Sequence, residues 1–166
     1  MASSLKILLN KLLFPVVRLY WFVFRPESSG VKCLIRCGDK ILMVRNNYGR
    51  MKWTFPGGSI ERRESPEDAV RREVFEETGI IVKPLKKVGS FLSTREFKRD
   101  IVYGFSTDVD NEDIKIDLSE ILEAGWFYIN SLPKDIGQIA KVVLEKYLNY
   151  HGNNHEKRRR IIIGII

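Results

Sequence analysis

Histidine and cysteine are scarce in this chain, and their scarcity removes several kinds of chemistry at the outset. The two histidines, His151 and His155, lie in a polar C-terminal stretch far from the two cysteines, Cys33 and Cys37, so no Cys/His set with zinc-ligand spacing exists. Cys33 and Cys37 stand four residues apart in a β-rich run, on one face of a strand and too close in sequence for an ordinary strand disulfide. Both are expected as buried free thiols. Low cysteine use, with no small-residue cleavage site after the apolar start, points to a reducing, cytoplasmic setting. Internal repeats and long low-complexity tracts are absent as well, and nothing reads as globally disordered.

An uninterrupted apolar run of membrane length is also missing. Residues 5–24, LKILLNKLLFPVVRLYWFVF, have the length of a span, but Lys6, Asn10, Lys11 and Arg18, with Arg25 beyond, fall near a seven-residue spacing. They draw a thin basic stripe along a helix that Pro15 would kink. Three readings stay open: an amphipathic helix lying on the inner face of an anionic membrane with Tyr20, Trp21, Phe22 and Phe24 at headgroup level; a helix packed on the domain or on a second subunit in a homodimer; and a true span, against which the cations weigh heavily. The segment RPESSG after it reads as a linker, so the chain divides into an N-terminal helix over 1–25, a globular domain over 30–150 and a basic, Ile-rich tail over 151–166.

What is present fits one domain with a real core: 166 residues, 44% of them apolar. Lys and Arg number 28 against 21 Asp and Glu, a net charge of +7. That excess suits phosphorylated metabolites, nucleic acid or an acidic membrane surface without choosing among them, and nothing singles out a specific nucleic acid. Strands are expected over Val31–Cys37 and Lys40–Arg45 around a Gly38-Asp39 turn, then over Ile80–Lys83, Val88–Phe97, Ile101–Val109 and Gly125–Ile129. A last helix is expected over Asp135–Tyr150, with Ile136, Ile139, Val143 and Tyr147 facing the core.

The most informative stretch runs from Gly57 to Ile80, GGSIERRESPEDAVRREVFEETGI. Ser65 can cap a helix, Pro66 suits its first position, Glu67 and Asp68 complement its positive end, and Gly79 ends it. On that helix Glu73, Glu76 and Glu77 share an arc, while Val70, Val74 and Phe75 are expected to face the core. Three neighbouring carboxylates repel one another unless a cation holds them, and hard oxygen ligands near diphosphate oxygens suit Mg²⁺.

At full spacing the stretch reads Gly58, five residues, Glu64, seven residues, Arg72-Glu73-Val74, one residue, Glu76-Glu77, one residue, Gly79-Ile80. This pattern resembles the Nudix box of the Nudix hydrolases at every defined position, nine of them over 23 residues. A looser likeness extends from about Val31 to Tyr150. It implies an α/β (α+β) fold, an α/β/α sandwich with a mixed β-sheet, here with an N-terminal helical extension. It also implies Mg²⁺ or Mn²⁺, and hydrolysis of the diphosphate bond of a nucleoside diphosphate linked to another moiety, by attack of water on phosphorus. The partner is then a nucleotide or other diphosphate-containing small molecule.

Carried over residue by residue, the resemblance makes Glu76 and Glu77 metal ligands, Glu73 a ligand or general base, the Gly57 carbonyl a further ligand and Glu64 a supporting carboxylate or ligand to another ion. Arg72 is expected to orient a neighbouring carboxylate, with a purely structural role as the alternative. Glu120, six residues before Trp126, best matches the later acid many members use for metal or base, and Glu123 is the next match. Arg45, Arg50 and Lys52 could meet substrate phosphates, or serve only as surface charges. Substrate markers are missing: Arg95, Glu96 and Phe97 occupy the zone where ADP-ribose hydrolases carry a proline, and the tyrosine of dinucleoside-polyphosphate hydrolases is absent there too. A nucleotide-sensing module that binds without cleaving, and a membrane-peripheral interaction protein, are the alternative classes.

Overall fold

A computed structural model describes residues 27–47, 49, 51–93 and 99–151, together with Leu13, Pro15 and Val16. The helix expected over 5–24 and the tail over 151–166 therefore fall almost wholly outside the described residues, as do Arg50 and residues 94–98. Among the described residues no helix is long and apolar enough to cross a membrane.

The chain opens with a hairpin, β1 (Glu27–Cys37) and β2 (Lys40–Asn46), around Gly38 at φ +57°. A two-residue hairpin loop needs such a left-handed residue, and glycine takes it without strain. β1 begins in Glu27-Ser28-Ser29-Gly30, so the stretch expected as a linker is part of a strand. Its backbone pairs in parallel with β5 (Arg99–Asp108), from Glu27 opposite Arg99 to Arg36 opposite Asp108. β4 (Lys86–Ser93) lies antiparallel to β5 at the sheet edge. β2 pairs with β6 (Ile121–Tyr128) along its length and with the short β3 (Trp53–Thr54) at Val44 and Arg45.

Two helices cover the sheet, α1 (Pro66–Thr78) on one face and α2 (Gln138–His151) on the other. Alternation along β1 explains the two cores. Val31, Cys33 and Ile35, with Leu42 and Phe105, pack under Ala69, Val70 and Val74 of α1. Leu34, with Ile41, Met43 and Val88, packs under Ala140, Val143, Leu144 and Tyr147 of α2. Each fully buried Val, Leu, Ile, Met or Phe among them contributes about 1.5–3 kcal/mol of hydrophobic stabilisation. The result is the mixed-sheet α/β/α sandwich expected.

Four local expectations are corrected. Ile80–Lys83 is not a strand: the Ile80 N–H is taken by the Thr78 hydroxyl at 3.3 Å and the Val82 carbonyl by Arg71, so side chains satisfy groups a ladder would have used. Phe75 is 54% exposed rather than core, because the inner stripe of α1 runs through Val70, Val74 and Glu77 at helical spacing and leaves Phe75 outside it. Cys37 is only half-buried, at the hairpin end of β1, whereas Cys33 is fully buried and its thiol pushed up to about 12 by that burial. β6 starts at Ile121, four residues earlier than its Gly125 expectation, since its ladder with β2 extends to Asn46 opposite Ile121.

Candidate active site

A split in the sheet creates the site. β1 pairs with β2 only beside the turn, at Arg36 with Ile41 and Cys37 with Lys40. Farther along β1 its free groups are met by the segment that leads into α1. The N–H of Val31 donates to the Gly58 carbonyl, that of Cys33 to the Pro56 carbonyl, and that of Ile60 to the Ser29 carbonyl, each at 2.9 Å. This pairing fixes the glycine turn as firmly as a strand. Gly57 sits at φ +127°, where a Cβ would stand 2.4 Å from the Val31 carbonyl oxygen, so only glycine fits. At Gly58 a Cβ would lie 2.4 Å from Glu73 Oε2.

α1 then delivers the acids. Ser65 caps it, accepting from the Asp68 N–H at 3.1 Å, and Gly79 closes it in the left-handed conformation with its N–H on the Phe75 carbonyl. The loop between β5 and β6 completes the C-terminal end, where Lys115 and Asp117 donate their N–H groups to the Thr78 and Glu77 carbonyls.

Arg72 gathers three carboxylates. Its Nε and Nη2 grip the two oxygens of Glu64 at 2.9 Å each, Nη1 reaches Glu73 Oε1 at 2.9 Å and Glu76 Oε2 at 3.2 Å, and Nη2 also donates to the Ser59 carbonyl. The two-pronged contact is the strong form of this pair, and with the Glu61 N–H it holds the Glu64 carboxyl down at about 2. Glu73 behaves oppositely: burial raises its pKa, opposed by Arg72 and Lys32.

Glu77 is on the inner stripe and only 4% exposed. Its Oε2 accepts from the Gly57 N–H at 2.7 Å. Burial pushes its carboxyl up to about 7; Lys32 and the Gly57 N–H pull it down, while Glu73 and Glu120 add to the rise. Lys32, half-buried on β1, donates its ammonium to the Gly57 carbonyl, and desolvation lowers its pKa against the charges of Glu77 and Glu73.

The remaining expected residues are distributed as follows. Glu120 is near enough to load Glu77 electrostatically, and its carbonyl accepts from the Asn47 N–H at 2.9 Å. Glu123 is elsewhere, paired with Arg45 at 3.4 Å. Arg45 stacks over the Trp53 ring, 4.8 Å from its centroid. Lys52 pairs with Asp135 at 3.0 Å on an exposed surface. Arg50 lies outside the described residues. Lys32 was not among the expected residues: a single lysine in a strand has no sequence signature, and only its contact with the Gly57 carbonyl reveals it.

Glu73, Glu77 and the Gly57 carbonyl supply hard oxygen donors around one turn. Mg²⁺ ordinarily takes one or two carboxylates and completes its shell with water and phosphate oxygens, so this donor set fits it. Among the described residues no three acidic side chains converge on one metal-sized point, in keeping with Arg72 drawing Glu64, Glu73 and Glu76 toward itself while Glu77 turns to Gly57. Both Glu64 oxygens are engaged by the Arg72 guanidinium.

Fold and site together define an α/β/α domain built on a strand-paired glycine loop and an acidic helix. The chain belongs to the NUDIX domain family, whose model matches residues 26–147. It is similar to the NAD-capped RNA hydrolase NudC of Pseudomonas syringae pv. tomato, 34% identical over 124 residues that cover 73% of this chain and 44% of that protein. It thus spans less than half the length of that relative. In fold it is similar to the MutT NUDIX hydrolase of Burkholderia pseudomallei, with TM-score 0.67, 20% identity, and coverage of 73% of this chain and 98% of that one. The NUDIX domain of Shewanella oneidensis NrtR, solved with ADP ribose, is also similar, with TM-score 0.66, 14% identity, and coverage of 78% and 92%.

Proposed function

We propose that the chain is a Mg²⁺- or Mn²⁺-dependent hydrolase that cleaves the diphosphate bond of a nucleoside diphosphate linked to a second moiety. The observation that carries this reading is the meeting of Glu73, Glu77 and the Gly57 carbonyl at one turn, with Arg72 holding the carboxylates in place. A divalent cation bound there neutralises charge on phosphoryl oxygens and so eases attack by water. The chain's own part is orientation and proton handling. Arg72 takes Glu73 Oε1 and leaves Oε2 without that contact, both oxygens lying against Gly58. Water forms one P–O bond as the anhydride P–O bond breaks, and its proton passes to Glu73 Oε2 or to Glu120. Arg45 and Lys52 reach a substrate phosphate by exchanging Glu123 and Asp135, exposed partners that hold them by only about 0–1 kcal/mol.

The name of the Pseudomonas relative directs the first substrates to try, two nucleotides joined through a diphosphate. The test is a hydrolysis screen over NAD, ADP-ribose, dinucleoside polyphosphates and nucleoside triphosphates with Mg²⁺ and with Mn²⁺. Metal-dependent release of phosphate products is expected, lost on chelation and lost in Glu76→Gln and Glu77→Gln variants that keep the wild-type circular dichroism. Turnover that survives either substitution, or chelation, sinks the assignment.

A further inference from the structure

We propose that Lys32 is a tethered counter-cation of the metal-free site, and that a divalent cation binds by displacing its ammonium from the Gly57 carbonyl. The proposal rests on the metal reading of this site given above. Lys32 is held on β1 by the parallel ladder with β5, opposite Gly104, so its side chain starts from a rigid backbone. Its ammonium bonds the Gly57 carbonyl, the same oxygen the metal would use, while Glu77 bonds the N–H of that residue. Glu77 and Glu73 are the two carboxylates whose charge Lys32 feels most. One half-buried cation therefore faces the oxygen donors from the strand side, and Arg72 faces Glu73 from the helix side.

A buried and a half-buried carboxylate on one helical face, with no counter-charge, would repel each other and lose hydration. The lysine offsets that cost when no metal is bound. A divalent cation and the ammonium cannot share the Gly57 oxygen, and their like charges oppose each other in a poorly solvated site. Lys32 is thus a positioning residue: it keeps the donors together before loading and weakens loading by competing.

The experiment measures Mn²⁺ affinity by titration calorimetry, and thermal midpoints with chelator and with saturating Mn²⁺, for wild type, Lys32→Met and Lys32→Gln. The glutamine variant loses the charge while keeping a polar N–H donor one atom closer to the backbone, and serves as the second variant should the methionine variant fail to fold. Both variants are expected to bind Mn²⁺ about tenfold or more tightly, as removal of a nearby like charge implies. Their midpoints fall in chelator and recover toward wild type with metal. In the wild-type chain alone, Mg²⁺ saturation shifts the Lys32 13Cε resonance as the ammonium leaves Gly57. Unchanged or weaker Mn²⁺ affinity in Lys32→Gln, or an unmoved 13Cε resonance in a chain that binds metal, overturns the proposal and leaves the metal reading intact. Absence of any binding heat in all three proteins overturns the metal reading itself.

Discussion

Arg72 and Glu77 show how differently two charged residues of one helix are used. Arg72 is half-exposed and holds three acids at once; a lysine of similar reach cannot form its fork to Glu64. Arg72→Lys is expected to lower kcat about 10- to 100-fold with a smaller change in KM, measured by steady-state hydrolysis. Glu77 is faced by Lys32 from β1, the Gly57 N–H from the turn, Glu73 from α1 and Glu120 from the loop before β6. Its folded pKa is raised above the unfolded carboxylate value, so its contribution to stability is full below that unfolded value and lost as pH rises through about 7. Glu64 runs the other way: its contribution is present at neutral pH and lost as pH falls toward about 2. In metal-free protein, wild type should therefore lose stability relative to Glu77→Gln between about pH 4.5 and pH 7, by on the order of 3 kcal/mol. Denaturant melts at stepped pH check this, and a pH-independent difference refutes it. The acids were legible because their spacing is a motif, whereas the burial of Glu77 was not, since spacing alone cannot say which edge of an acidic stripe turns inward.

The element that carries the site, α1, is bounded by local chemistry, and its bounds could be read directly. Ser65, Pro66 and Asp68 at the start and Gly79 at the end act where the sequence puts them. Ser65→Ala is expected to cost about 1 kcal/mol in a chemical melt. The glycine turn before it is more exacting. Gly58→Ala drives a methyl group toward Glu73 Oε2; a lower affinity for Mn²⁺ with unchanged far-UV dichroism is the expected result, and calorimetry reports it. Ile80–Lys83 shows where local reading fails: β-branched residues predict a strand, but the Thr78 and Arg71 side chains satisfy that backbone and no partner strand is offered.

At the scale of the whole molecule, two apolar layers hold one sheet between two helices. The alternation of Val31, Cys33 and Ile35 against Leu34 is visible in the sequence, yet the split that lets residues 56–60 pair with β1 depends on partners far away in the chain. Phe105 lies in the layer beneath α1. Phe105→Ala should cost about 3–5 kcal/mol, and it should lower metal affinity as well, because the same layer supports the helix bearing Glu73 and Glu77. Leu34→Ala, in the layer beneath α2, should cost about 2–5 kcal/mol with a smaller effect on metal affinity. Parallel melts and titrations of the two variants separate the layers.

β1 is bonded on one side to the glycine turn and on the other to β5, and Arg36 meets Asp108 across 72 residues of sequence. Such distant pairing is slow, because a long loop must close before any contact rewards it. The site needs β1 in place on both sides, so during refolding helical dichroism should return first and the capacity to bind Mn²⁺ with a later phase.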